Sequence, residues 1–293
     1  MVRRPAIGLI GCGEMGAAIG AHLVSAGFDV ATVLAGRGAE TRQRATEAGL
    51  GEAADLGALL ERAGIVLSVI PPSAAVDEAR AVAAAAQGRR AFTYLEANAI
   101  SPQRAVEIAE LLVDTPANIL DGGIVGLPPA AGKRPKLYLS GDEPEKLEPL
   151  DGIAFDIVPI GDEIGRASAF KMAYAALTKG TNALLTAGML LARHHDMLDA
   201  FTAELSASQP ELMSRAEANI ARLPADAGRW VFEMEEIAAS FAAAGLPSGF
   251  HEGAADIMRI LDASRFGTET RRTRDKARSM ADTVIAVDAD RRG

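Results

Sequence analysis

The chain has 293 residues, 49% of them hydrophobic and 24% charged, a balance that excludes a fibre or a disordered tail and suits two packed domains. Thirty Lys and Arg against 39 Asp and Glu give a net charge of −9, which disfavours a nucleic-acid partner. One cysteine forms no internal disulfide, no metal-ligand spacing is evident, and no apolar run reaches the roughly 18 residues that span a bilayer, so we expect a cytoplasmic protein without a bound metal.

Short apolar runs alternate with helical segments in the first half of the chain. The runs cover residues 6–10, 30–34, 65–70, 92–95, 118–120, 137–139 and 155–159. Most are continuously apolar, which is typical of parallel strands covered by helices on both faces. The pattern predicts a doubly wound, mostly parallel α/β domain over residues 1–161.

The second half has a different texture. β-branched runs disappear after Gly161, and residues 162–293 read as helices separated by Gly or Pro. The segment 163–194 contains no proline and predicts one long helix. Because this helix carries too much apolar surface to stand alone, we expect it to be buried, with a second subunit as its packing partner. The prediction is an all-helical substrate and dimerisation domain.

A glycine-rich turn follows the first apolar run and opens a helical pattern. Its residues are Gly11-Cys12-Gly13-Glu14-Met15-Gly16. In a GxGxxG turn the first glycine makes the tight bend, the second admits a pyrophosphate, and the third lets the helix pack on the strand. With the strand and helix in place, the turn predicts a dinucleotide cofactor and a Rossmann domain.

The end of the second apolar run bears on which dinucleotide is bound. No Asp or Glu stands there to hold a ribose 2′-hydroxyl, whereas Arg37 follows, with Arg42 and Arg44 farther along. A planar guanidinium suits a 2′-phosphate, so the sequence favours NADP over NAD. The alternative is that these arginines are ordinary solvated helix surface.

Several segments together resemble the β-hydroxyacid and 6-phosphogluconate dehydrogenase superfamily. They are residues 8–16, Ala26-Gly27 before the second strand, Ile100-Ser101-Pro102, and Lys171 on the helix that leaves the sheet. Residues 229–238 resemble a poorly characterised phosphogluconate-dehydrogenase-like subgroup with a distinct C-terminal domain. The resemblance implies a Rossmann domain, a helical dimerisation domain and an active site in the cleft between them.

The resemblance is incomplete at the substrate loops. Where members have Asp-Leu-Ser-Thr-Ile-Ser-Pro this chain has residues 96–102, with Asn98 able to offer an amide to cofactor or substrate, and Pro71-Pro72 occupies the nicotinamide-ribose loop. Gly122 and Gly123 match the loop that orients the substrate, but Val125 stands where a serine holds its carboxylate. Since the valine side chain donates no hydrogen bond, the usual contact with the carboxylate of a hydroxy acid is missing or is made by another residue.

Lys171 is the catalytic residue that the resemblance implies. A lysine at this place in the superfamily passes a proton to or from the substrate oxygen while hydride moves at the nicotinamide. The two asparagines expected three and four positions later are replaced by Tyr174 and Ala175. Tyr174 brings a hydroxyl and is a candidate substrate-binding residue, and Asn182 lies three helical turns beyond Lys171.

These features predict an NADP-dependent oxidoreductase acting on a hydroxyl or carbonyl carbon of a small metabolite. An NADPH-dependent imine reductase is the first alternative, since those enzymes share the architecture. They usually have Asp or Tyr in place of the lysine, so Lys171 counts against this alternative, whereas Tyr174 keeps it open. A second alternative is a sensor that binds NADPH and transfers nothing.

Overall fold

The computed structural model describes residues 4–292, and these divide into two compact units between Met172 and Ala173. The first unit is built on one eight-stranded sheet with helices. The second is helical. This confirms the predicted α/β domain followed by an all-α region.

The sheet of the first unit has the spatial order β3-β2-β1-β4-β5-β6-β7-β8. All neighbouring pairs are parallel except β6 and β7, which are antiparallel. The strands are β1 (Ile7–Ile10), β2 (Val30–Val33), β3 (Gly51–Ala53), β4 (Ile65–Ser68), β5 (Phe92–Glu96), β6 (Ala117–Val125), β7 (Lys136–Ser140) and β8 (Asp156–Pro159).

Both faces of the sheet are buried, which explains the continuous apolar runs. On β1 the side chains of Ile7 and Leu9 join one core cluster, and Ile10 joins a second cluster on the other face. The helices of this unit are α1 (Glu14–Ser25), α2 (Ala39–Glu47), α3 (Leu56–Arg62), α4 (Ala75–Ala86) and α5 (Pro102–Leu112). Seven strands were expected from the sequence; β3 was not, because its three residues form no apolar run.

The helical unit begins within a helix that starts on the sheet. The 29-residue helix α6 (Arg166–His194) confirms the long helix predicted from the proline-free segment. It is followed by α7 (Leu198–Ser208), α8 (Pro210–Asn219), α9 (Pro224–Ala243), α10 (Gly249–Asp262) and α11 (Met280–Arg292). Among the residues described, no helix is both long enough and apolar enough to cross a membrane.

The start of α6 is fixed to the sheet by one buried carboxylate. Asp121 on β6 accepts hydrogen bonds from the backbone N–H groups of Gly165 (3.0 Å) and Ser168 (2.9 Å), and its other oxygen accepts from the Ser168 hydroxyl at 2.6 Å. The Ser140 hydroxyl of β7 completes the set, donating to Asp121 and accepting from the Ala167 N–H. Asp121 therefore caps α6 from outside the helix, supplying acceptors for N–H groups that have no partner within it.

This attachment explains where the two compact units divide. The expected boundary lay after residue 161, between the last strand and the long helix. The structure keeps the first two turns of α6 with the sheet, because Asp121 and Ser140 bind the helix backbone there, and the division falls after Met172.

A second buried acid lies beside Asp121. Glu96, the last residue of β5, is in register with Asp121 on the neighbouring strand and is 2% exposed. Burial raises the pKa of the Glu96 carboxyl to about 8, and the charge of Asp121 contributes to the rise, whereas hydrogen bonds from Asn98 and Tyr94 oppose it. Two adjacent carboxylates at low dielectric repel, so near neutral pH the proton stays on Glu96 and Asp121 keeps its charge for α6.

The raised pKa of Glu96 predicts a falling stability between about pH 5 and pH 8. The folded chain retains a proton that the unfolded chain loses near its ordinary pKa of about 4.3, so the stabilisation is complete below that pH and lost as pH rises through 8. The free energy of unfolding should fall by up to about 1.4 kcal/mol per pH unit in this window. Denaturant titrations at several pH values measure it.

The variant Glu96→Gln should flatten this part of the profile, since glutamine does not titrate. The matched control is Glu145→Gln, at an exposed position of the same unit, which should leave the slope as in the wild type. An identical slope in Glu96→Gln and wild type would contradict the protonated Glu96.

Candidate cofactor and active site

Two glycines of the turn between β1 and α1 are required by the backbone. Gly11 has φ +102°, and a Cβ there would lie 2.2 Å from the Val69 carbonyl oxygen. A Cβ on Gly16 would lie 2.0 Å from the carbonyl oxygen of Gly11. Neither position accepts a side chain, because each faces main-chain atoms rather than a flexible neighbour. The sequence assigned these glycines to the bend and the helix packing, and the contacts agree.

Gly13 differs from the other two glycines because the position of its absent Cβ is open. A Cβ built on Gly13 meets no atom within 4 Å, although Gly13 is the N-cap residue of α1. It supplies no side-chain acceptor to the first turn of the helix. Open space directly before a helix N-terminus fits a pyrophosphate, since the backbone N–H groups and the helix dipole favour an anion there.

Cys12 lies within the turn but is directed inward. Its thiol is 2% exposed and donates to the Thr32 hydroxyl at 3.3 Å on β2. Burial raises the pKa of the Cys12 thiol, with the Thr32 hydrogen bond and the charge of Arg37 opposing the rise. A helix N-terminus generally lowers the pKa of a nearby thiol, but at Cys12 desolvation dominates. Cys12 fills a tight site between strand and turn.

A cavity of about 200 Å³ opens beside the turn. Its lining residues come from the turn, the end of β2 and helices α3 and α4: Ile10, Gly11, Val33, Arg37, Leu56, Glu78 and Ala81. The predicted 2′-phosphate residue Arg37 is therefore next to the glycine turn. Arg42 and Arg44, in contrast, pair with Glu52 and Glu40, so they are surface residues of α2.

The sequence did not single out Glu78, which faces Arg37 across this cavity. Its Oε2 lies 3.7 Å from Arg37 Nη2, and its side chain is only 17% exposed. Glu78 belongs to the first turn of α4, far from Arg37 in the sequence. No local pattern distinguishes it from the acidic residues that helices commonly carry in their first turn.

Asn98 braces the loop predicted to lie along the nicotinamide ribose. Its Oδ1 accepts from the Ile70 N–H at 2.6 Å, directly before Pro71-Pro72, and its Nδ2 donates to the Ser68 hydroxyl at 2.9 Å. Its own N–H donates to Glu96 Oε1 at 3.1 Å. The amide thus ties the ends of β4 and β5 together. Direct contact of Asn98, Pro71 or Pro72 with a cofactor remains a prediction.

Lys171 extends from the second turn of α6 to the end of β6. Its Nζ donates to the carbonyl oxygen of Ile124 at 2.5 Å, and the side chain is partly buried. Close packing makes this possible, because a Cβ on Gly123 would lie 2.8 Å from the Ala167 carbonyl oxygen and 3.1 Å from Lys171 Cβ. The helix therefore needs glycine at position 123.

Gly122 has a packing role of its own. A Cβ there would meet Leu95 at 2.8 Å and Leu137 at 3.0 Å, and the residue is buried in the sheet. Of the two glycines that the sequence assigned to the substrate loop, Gly123 is required by main-chain atoms of α6, whereas a side chain at Gly122 would displace the ends of two leucine side chains. Their contact with a substrate remains a prediction.

The polar residues predicted beyond Lys171 differ in exposure. Tyr174 is 46% exposed, one helical turn after Lys171. Asn182 is 5% exposed, and its Oδ1 accepts from Arg215 Nε at 3.0 Å. Asn182 is thus committed to the interior of the helical unit, whereas Tyr174 presents its side chain to solvent.

The family comparison agrees with the geometry of the first unit. Residues 6–153 match the NAD-binding domain of 6-phosphogluconate dehydrogenase, about half of the chain. Residues 192–261 match a domain of unknown function, DUF1932. The second match confirms the predicted resemblance of the C-terminal region to that of a poorly characterised subgroup.

Solved structures with this architecture include dehydrogenases and reductases. A conserved protein of unknown function, described as similar to 3-hydroxyacid dehydrogenases, is 25% identical, with a TM-score of 0.67 over 88% of this chain and 96% of that one. The 3-hydroxyisobutyrate dehydrogenase of Mycobacterium tuberculosis with L-serine is 18% identical, with a TM-score of 0.67 over 99% and 100%. A reductive aminase of Aspergillus terreus with NADPH is 19% identical, with a TM-score of 0.57 over 91% and 97%.

The glycine turn before α1, the parallel sheet and the family match over residues 6–153 have one explanation. The chain belongs to the family of the NAD-binding domain of 6-phosphogluconate dehydrogenase, and this membership places it among the NAD(P)-dependent dehydrogenases and reductases.

Proposed function

We propose that the protein is an NADP-dependent oxidoreductase that interconverts a hydroxyl and a carbonyl group on a small, hydroxy-acid-like metabolite. The observation that carries the proposal is the position of Lys171, whose ammonium is held at the Ile124 carbonyl on the strand that bears Gly122 and Gly123. NADP, when bound, supplies or accepts the hydride. The protein contributes binding, orientation and the proton.

Lys171 is suited to the proton transfer at the substrate oxygen. Reduction of a carbonyl develops alkoxide charge, and an ammonium within hydrogen-bond reach neutralises it as the charge forms. The Ile124 carbonyl accepts one of the three N–H bonds of Lys171 and sets the direction of the others. In the reverse direction the same amine, once neutral, accepts the hydroxyl proton.

The residues that bind the acidic group of the substrate differ from those expected for an ordinary hydroxy acid. Val125 follows Ile124 on β6, in the place where the resemblance expects a serine hydroxyl. A valine offers no donor, so another group binds the carboxylate or its equivalent. Tyr174, exposed one turn after Lys171, has a hydroxyl for this purpose.

An imine reductase is the second candidate function. The exposed Tyr174 favours it, because a phenol near Lys171 gives the site a second proton donor for a nitrogen centre. A panel of hydroxy acids, aldehydes and imines, followed at the NADPH absorbance band, separates the two reactions.

Replacing Lys171 by methionine should abolish turnover without weakening cofactor binding. The variant Lys171→Met keeps the side chain out to Cε but has no ammonium to transfer a proton, so we expect kcat to fall by about 10² or more. The dissociation constant of NADPH should stay within about twofold, since the phosphate turn is unchanged. Steady-state kinetics and fluorescence titration give the two values.

Lys146→Met is the control, because Lys146 pairs with Glu143 on the surface of the same unit and should have no effect. Full activity in Lys171→Met would refute the proton-transfer role. A wild-type protein that binds NADPH yet turns over nothing in the panel would instead identify a sensor.

Arg37→Ala should weaken NADPH selectively. Loss of a charge-assisted hydrogen bond to the 2′-phosphate corresponds to an increase in Kd of about tenfold or more, with NADH little affected. Arg44→Ala is the matched control, since Arg44 pairs with Glu40 on the surface of α2. An unchanged NADPH Kd in Arg37→Ala would show that the 2′-phosphate is bound elsewhere.

The helical unit is proposed to form a homodimer through α6. Leu177, Leu184 and Leu191 recur every seventh residue on this helix and are 73%, 74% and 62% exposed. A seven-residue apolar repeat on one helix face is the pattern of a helix–helix seam, and a second copy supplies the same face.

Leu184→Asp should therefore produce a single 30.5 kDa species in sedimentation velocity, where the wild type sediments as a dimer. Leu246→Asp, at another exposed leucine, is the control and should remain dimeric. A monomeric wild type would contradict the proposal.

A further inference from the structure

The cavity beside the glycine turn contains one charge of each sign. Arg37 follows the end of β2 in the sequence, and no acid stands there. The structure supplies an acid from another element, since Glu78 on α4 reaches to 3.7 Å from the Arg37 guanidinium. Both side chains line the same cavity as Gly11.

Glu78 differs from its neighbour Asp77 on the same helical turn. Asp77 is 85% exposed and pairs with Arg80 three residues on, as many surface acids do. Glu78 is 17% exposed, and its partner comes from a different element. The Glu78 carboxylate is largely shielded from solvent and lines the cavity, so it is placed to bind a ligand there. The exposed pair of Asp77 with Arg80 has no such position.

We propose that Glu78 is a specificity-determining residue of the cofactor site and that its pair with Arg37 lets a site that prefers NADP(H) accept NAD(H) as well. This inference rests on the proposed function. The Glu78 carboxylate accepts hydrogen bonds from ribose hydroxyls, as the acid at the end of β2 does in NAD-selective folds. The Arg37 guanidinium donates to a 2′-phosphate.

The pair also limits how strongly NADP is preferred. A 2′-phosphate that approaches Arg37 comes close to the Glu78 carboxylate, and like charges a few ångströms apart repel. Arg37 alone would give a marked preference for NADP. With Glu78 in place, the Arg37 guanidinium already has a counter-ion, so a 2′-phosphate must share the guanidinium with the Glu78 carboxylate.

Calorimetric titrations of the full-length protein with NADPH and NADH test this directly. In Glu78→Gln the NADPH affinity should rise by about fivefold and the NADH affinity should fall by a similar factor, reversing the sign of the effect between the two cofactors. Adenosine 2′-monophosphate and 5′-monophosphate serve as probes without a nicotinamide ring, and only the first should bind more tightly to the variant. Neither measurement depends on turnover.

Asp77→Asn is the matched control, since it removes the same charge one residue away at an exposed position. It should shift NADPH and NADH affinities by less than about twofold, the residual effect of a screened surface charge. Thermal unfolding of both variants establishes that they are folded.

Each contrary result has a distinct meaning. Equal NADPH-to-NADH affinity ratios in wild type and Glu78→Gln would overturn the role of Glu78 while leaving the oxidoreductase proposal intact. An equal change of that ratio in Asp77→Asn would show a general charge effect and also overturn it. A wild-type chain that binds neither dinucleotide would overturn the proposed function itself.

Discussion

The hydrogen bonds between the Asp121 carboxylate and the start of α6 are the constraint on which the proposed site depends. They come from Gly165, Ser168 and Ser140, and they join β6 to the first turn of the helix. Burial raises the pKa of Asp121, and the same hydrogen bonds oppose that rise, so the groups that Asp121 orients also favour its charged form. Because Lys171 lies three residues after Ser168, its position follows from this attachment.

Glycines determine how closely α6 approaches the sheet and how closely the glycine turn approaches the backbone around it. Gly123 admits the helix to β6, and Gly11 and Gly16 admit the turn to the backbone around it. The cofactor turn and the lysine are therefore built on one sheet, in one compact unit. Among the three glycines of the turn, Gly13 is the one whose Cβ position is open, so it is available to a ligand rather than needed for packing.

The sequence predicted the elements that have a local signature. Apolar runs located seven strands, the absence of proline located α6, and the glycine spacing located the phosphate turn. The strand β3 escaped because three residues without an apolar run carry no periodic signal. These features depend on residues that are close together in the sequence, so they can be recognised from the sequence alone.

The parts that escaped prediction depend on tertiary contacts. Asp121 directly precedes Gly122 in the sequence, but its role as a remote cap requires the antiparallel β6–β7 pair and the return of α6. Glu78 reaches Arg37 only after α4 folds onto the sheet. Asn98 was identified from the resemblance as a cofactor or substrate ligand, whereas its bonds to Ile70 and Ser68 appear only when β4 and β5 are paired.

The most direct measurement is an experimental structure of the wild-type protein with NADPH and a substrate found by screening. The proposed mechanism predicts the pyrophosphate at Gly13 and the Lys171 Nζ within about 3.2 Å of the substrate oxygen, with α6 still bound to Asp121. An ammonium of Lys171 directed into bulk water, with the substrate oxygen bound by other groups, would contradict it.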